Sequence, residues 1–147
     1  MLAAGQLVHA VAARLPGPAY TSRAWPIAEA ELPAWRVYAA GESINRAELD
    51  PDPVEEHELD IELQGLVSAT DALDDAINAH AAQGLVALFD ATPPPDALAA
   101  FAGRVEFAAT SIDRRQPRDG QAKVGQVIVT VTATFRVRAS DPETIIL

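Results

Sequence analysis

Two stretches of this chain alternate apolar and polar residues so strictly that each has to form a β-strand. In residues 127–138, Val127, Val129, Val131, Ala133, Phe135 and Val137 fall on one side, and Thr130, Thr132, Thr134, Arg136 and Arg138 on the other. In residues 54–67, Leu59, Ile61 and Leu63 oppose Glu58, Asp60, Glu62 and Gln64. Successive strand side chains point to opposite faces, so each run gives one face to a core and the other to solvent or a partner. Antiparallel sheets tolerate that asymmetry, and the density of β-branched residues in the later run favours a pleated surface.

The rest of the chain is built around these two strands. Leu7, Val8, Val11 and Leu15 recur at helical spacing, which predicts a helix over 2–15 that Pro16-Gly17-Pro18 ends. Residues 20–31 are irregular, with Trp25-Pro26-Ile27 as an apolar anchor, and Leu32-Pro33-Ala34 opens a strand running to Ala39. Residues 41–52 are polar and turn-rich, with room for a short strand at 43–46. Thr70 is placed to cap a long helix, with Asp71, Asp74 and Asp75 in its first turns, where the helix dipole favours negative charge. Leu73, Ala76, Ile77, Ala81, Leu85 and Leu88 carry that helix to about Asp90, and Gly84 within it marks a close approach or a bend. Pro93-Pro94-Pro95 interrupts the chain, and a short helix over 96–102 closes at Gly103. Val105, Phe107, Ala109 and Ser111 alternate in a further strand, joined by a polar loop over 114–123 to the 127–138 strand. The expected fold is α+β: one mostly antiparallel or mixed sheet of four to five strands, with an N-terminal helix and one long central helix packed on one face. A single domain spans 1–147, and 139–147 forms a short C-terminal tail whose apolar end, Ile145-Ile146-Leu147, is expected to dock.

Charge is unevenly distributed. The 147 residues carry a net charge of −10. Residues 42–75 hold twelve acids and one base, whereas residues 104–138 hold seven bases and three acids. An acidic chain lacks the cationic footprint of sequence-independent DNA binding. Cysteine is absent, which excludes disulfides, thiol nucleophiles and thiolate-bound metals. The longest nearly uncharged apolar run, residues 1–13, is too short to span a bilayer and has no preceding basic segment, so a soluble cytoplasmic protein is expected.

No pattern of residues specifies catalysis. His9, His57 and His80 fall in no metal-binding spacing; on a strand, His57 faces away from Glu56 and Glu58 and shares its face only with Glu55. His80 reads as an ordinary surface or boundary residue. There is no nucleophile elbow, phosphate loop or dinucleotide fingerprint, so neither a catalytic nor a metal residue is assigned and no cofactor is expected. Two features remain. Glu56, Glu58, Asp60 and Glu62 form an acidic ladder on one strand face, which reads as a solvated sheet face, as a partner for Arg136 and Arg138 across the sheet or a subunit boundary, or as a surface that repels a polyanion. Arg114, Arg115 and Arg118 in the loop, with Arg136 and Arg138 on the last strand, are candidates to bind an acidic partner surface, including the ladder itself.

The N-terminal apolar helix, Arg23-x-x-Pro26-Ile27, Leu32-Pro33-Ala34 and the acidic turn into Glu58-Leu59-Asp60-Ile61-Glu62-Leu63 together resemble the tail terminator family of long-tailed phages and gene transfer agents, the lambda minor tail protein U-like proteins. The following helix and the last two strands extend the resemblance over most of the chain. It implies a non-enzymatic virion protein, assembled in the bacterial cytoplasm, that forms a homo-hexameric ring on the finished tail tube. Such a ring stops polymerisation of the major tail tube protein, presents a surface to a head-completion or neck protein, and lets DNA pass through its lumen without specific binding or membrane contact. The triple proline, the Arg-rich loop and the apolar C-terminus depart from the family pattern. The readings that compete with it are another head–tail connector or neck subunit and a small ligand-binding α+β domain.

Overall fold

The structure, a computed structural model, describes residues 1–22, 27–46, 51–69, 71–115 and 124–147. Six strands form one mixed sheet: β1 (Ala19–Tyr20), β2 (Ala34–Arg46), β3 (Val54–Ser68), β4 (Glu106–Arg115), β5 (Val124–Arg138) and β6 (Asp141–Ile146). Their spatial order is β1-β2-β3-β5-β4, and β6 joins the β4 side of the sheet by pairing with the far end of β5. Only β1 and β2 run parallel; every other pairing is antiparallel. The two alternating runs are β3 and β5, which lie side by side at the centre and pair without a break from Val54 opposite Arg138 to Ser68 opposite Val124. Both helices, α1 (Ala3–Arg14) and α2 (Leu73–Leu88), bury their apolar stripes on the face carrying Leu59, Ile61, Leu63, Val127, Val129 and Val131.

The expected architecture is therefore present, with several local differences. The sheet has six strands rather than four or five. The short strand at 43–46 is the far half of β2, which runs on from Ala34 through a bulge between Ala39 and Gly41. A bulge adds one residue to one strand, so β2 keeps its pairing while changing which residues face the helices. A second bulge, between Ala109 and Ser111 in β4, ends the alternation expected there and sends Ser111 to the face opposite Ala109. Arg114 and Arg115 belong to β4 and not to a loop, since they pair with Val127 and Gln126. The 139–147 tail forms β6; Ile145 is buried while Leu147 stays exposed. Thr70, like Arg23, Trp25, Pro26 and the 116–123 part of the loop, lies outside the described residues. Ala72, at φ 52, occupies the cap position of α2 without a side-chain cap. The expected helix over 96–102 is a single 3-10 turn, Ala99–Phe101, whose Ala99 N–H donates to Asp96 Oδ1 at 2.9 Å.

Close approach of α2 to the sheet depends on glycine. A Cβ on Gly84 would lie 2.7 Å from Trp35 Cζ2, and one on Gly125 would lie 2.5 Å from Ile77 Cδ1. A Cβ on Gly65 would lie 2.7 Å from His80 Cδ2 and 3.0 Å from Trp35 Cζ3. Trp35 is fully buried in this space and stacks on the His80 ring at 4.1 Å. His80 is accordingly a core residue and not a surface or boundary one. Its Nε2–H donates to the Ala34 carbonyl at 3.1 Å, and burial pushes its pKa below the ordinary 6.5, against the smaller opposing effect of that hydrogen bond. Arg14, at the end of α1, grips the Asp96 carboxylate with Nε at 2.8 Å and with Nη2. The Arg14 hydrogen bond holds the Asp96 pKa down to about 2.

Two outcomes follow from this packing. Gly84→Ala lowers stability by about 1–3 kcal/mol in urea unfolding, even though alanine is by itself the better helix residue by about 1 kcal/mol, because the added methyl overlaps the Trp35 ring. Acidification destabilises in two steps. His80 and Asp96 both bind protons more readily in the unfolded chain, so stability is full above about pH 6.5, falls as unfolded His80 protonates, and falls again from about pH 4 towards pH 2. Unfolding curves across that range show His80→Gln flattening the upper step and Arg14→Leu the lower one.

Candidate functional site

The face of the sheet turned away from the helices is polar and uncovered by any described helix. The pleat of β3 aims Glu56, Glu58, Asp60 and Glu62 to this face, while Glu55, His57, Leu59, Ile61 and Leu63 go to the other. The ladder therefore exists as a column down the centre of the sheet. Across β5 it meets Arg136, Thr134, Thr132 and Thr130 in that order. Arg136 Nε lies 3.5 Å from Glu56 Oε2 in the same chain, an exposed contact of the kind worth little by itself. Asp60 accepts a hydrogen bond from Thr132 Oγ1 at 2.8 Å, and Thr132 in turn meets Thr110 Oγ1 at 3.2 Å, so a polar chain crosses three strands. Glu58 and Glu62 stand opposite Thr134 and Thr130, with no cation opposite them on β5.

The basic candidates divide. Arg136 and Arg138 lie on the polar face at the far end of β5, Arg136 beside Glu56 and Arg138 opposite Val54. Arg115 is on the same face, near the other end of the sheet, and bonds Asp113 at 3.3 Å. Arg114 points to the helix side, where its Nε donates to Asn78 Oδ1 on α2 at 2.7 Å. Arg118 lies outside the described residues. The four described arginines thus form no single patch.

Two polar contacts on the helix side were not legible as pairs in the sequence. His57 is buried, stacked on Phe135, and its Nδ1 is 2.8 Å from Glu42 Oε1 of the neighbouring strand rather than bonded to Glu55 on its own strand. Glu55 is taken by Arg46, whose Nε donates to Oε2 at 2.9 Å. Only the β2–β3 register, set partly by the β2 bulge, shows who meets whom. Among the described residues no group of three or more His, Asp or Glu side chains is arranged to hold a metal ion. A cleft near the sheet's far end is lined by side chains of both charges, Glu56, Arg104, Glu106 and Arg136, and by Leu147. What the polar face offers chemically is a broad, hydrogen-bonding and predominantly acidic surface on a rigid support.

No family model matches the chain, and no curated protein matches it in sequence. Among solved structures it is similar in fold to a chain of the virion of a native gene transfer agent (GTA) particle. The likeness covers 92% of each chain, with a TM-score of 0.50 and 17% identity.

The spacing of the acids generates a direct test. Like charges two residues apart on one strand repel by a few tenths of a kcal/mol per close pair, and salt screens the repulsion. Glu58→Gln raises stability by about 0.2–0.5 kcal/mol at low ionic strength, and the gain disappears in about 1 M salt, as read by thermal or urea unfolding.

Proposed function

We propose that this protein is a structural, non-enzymatic component of a phage-like particle: a tail terminator whose copies form a hexameric ring on the tail tube. The ring ends polymerisation of the tube protein, offers a joining surface to a head-completion or neck protein, and leaves a lumen for DNA. The observation that carries this reading is the fold likeness to a gene transfer agent virion chain over 92% of both chains. The resemblance of the sequence to the tail terminator family points the same way. The polar face supports it physically. A column of carboxylates with threonines beside it repels a sliding polyanion, whereas a cationic wall would hold DNA by counterion release. Glu56, Glu58, Asp60 and Glu62 are proposed as the lumen-facing or interface acids, and Arg114, Arg115, Arg118, Arg136 and Arg138 as contacts to partner proteins.

A neck or head–tail connector subunit is the second reading, since the similar chain comes from a whole virion. Tube dependence separates the two. Purified protein mixed with polymerising tube protein gives shorter tubes closed by a ring in negative-stain micrographs, and sedimentation of the protein gives a species near six times 15.6 kDa, alone or with tubes. Unchanged tube lengths together with a ring on the head side favour the connector. A monomer under all of these conditions overturns both.

A further inference from the structure

The two outer edges of the sheet are complementary to each other. On β2, residues 41–46 are exposed, and among the described residues they pair only with β3. On β4, residues 111–115 are exposed and pair only with β5. An open strand edge is a template for another strand. Three successive antiparallel pairings, β2 with β3, β3 with β5 and β5 with β4, leave β2 and β4 pointing in opposite directions. The β2 of one copy laid beside the β4 of the next therefore continues the sheet as an antiparallel one, with the helix side and the polar side each staying continuous.

We propose that copies of this chain join edge to edge, β2 of one against β4 of the next, in the register that sets Ile44 opposite Ile112. The proposal rests on the assembly reading above only in requiring a second copy. Two observations select the register. First, Ile44 and Ile112 are both on the helix side of their strands, since they pair with His57 and Val129, and both are exposed large hydrophobics, at 56% and 40%. Second, the same register sets Glu42 opposite Arg114, again both on the helix side, so opposite charges meet. Glu42 already accepts from His57 and Arg114 already donates to Asn78, but a carboxylate and a guanidinium each have further capacity. This register brings 41–45 opposite 111–115. A slip of one residue turns each side chain to the wrong face. A slip of two in one direction sets Ile44 against Arg114 and Arg46 against Ile112, and in the other sets Glu42 against Ile112. Such a head-to-tail contact closes into a ring when the rotation per copy permits.

The lack of cysteine makes the test clean. Ser43 and Asp113 are opposed on the polar side in the proposed register, so Ser43→Cys with Asp113→Cys places two thiols within disulfide reach across the joint. Within one chain the two positions are three strand spacings apart across the sheet, about 14 Å, and a further six residues apart along the strands, about 20 Å, too far to bridge. Asn45→Cys with Asp113→Cys is the register control, offset along the edge to about 8 Å between Cα atoms. All three side chains are exposed, so both variants keep the fold. On mild oxidation the first variant gives a ladder of disulfide-linked species on non-reducing gels, at least tenfold more than the control. Equal cross-linking in the two, or none where sedimentation shows an oligomer, overturns the edge pairing and leaves the assembly reading standing. A monomer at every concentration, with and without tubes, overturns both.

Discussion

The pairing of β3 with β5 is the constraint on which everything else depends. Fifteen residues of each strand meet in one uninterrupted register, from Val54 with Arg138 to Ser68 with Val124. Because the side-chain period is two, that register decides at once which residues build the core and which form the polar face. Leu59, Ile61, Leu63, Val127, Val129 and Val131 become a floor for both helices, and Glu56, Glu58, Asp60 and Glu62 become a column on the far side. Shifting either strand by one residue would bury the carboxylates beneath α2, at a cost no small domain could offset.

On that floor the helices are held by shape more than by polar contacts. Gly65, Gly84 and Gly125 let α2 sit close enough for Trp35 to be enclosed between strand and helix, with His80 stacked against its ring. The polar contacts that do matter sit at the margins. Arg14 ties the end of α1 to Asp96 in the segment leading to β4, and the Glu42–His57 and Arg46–Glu55 pairs fasten the far half of β2 to β3. The far half of β2 has few apolar residues of its own, so these side-chain contacts and the backbone ladder keep it in the sheet.

Much of this was legible in the residues. Alternation gave β3 and β5, helical spacing gave α1 and α2, and the proline clusters gave the breaks. Gly84 reads as a close approach or a bend, and the structure shows the close approach, to Trp35. The acidic ladder could be placed on one strand face because strict alternation leaves no other arrangement. What the sequence did not disclose is what depends on tertiary register. Nothing local to His57 names Glu42 as its partner, because the contact is made across two strands. Arg14 and Asp96 are 82 residues apart, and no spacing rule connects them. The second half of β2 reads as turn-rich, with room only for a short strand at 43–46, because Gly41, Glu42, Ser43 and Asn45 have low strand propensity; pairing with β3 makes it one continuous strand from Ala34. His80 gives no sign of its burial until Trp35 is folded against it.

The two bulges give the sheet an odd property. The central strands keep one parity from end to end, with odd-numbered residues of both β3 and β5 facing the helices. The outer strands change parity midway. In β2, odd positions face the helices up to Ala39 and even ones from Glu42 onward; in β4, odd positions do so up to Ala109 and even ones from Ile112 onward. Each rim therefore presents a chemistry that its own half-strand pattern would have turned to the opposite side. Gaining or losing a single codon at either bulge would invert the outward display of a rim while the apolar floor beneath the helices keeps its pattern, and at β2 it would also turn Glu42 and Arg46 away from the buried His57 and Glu55.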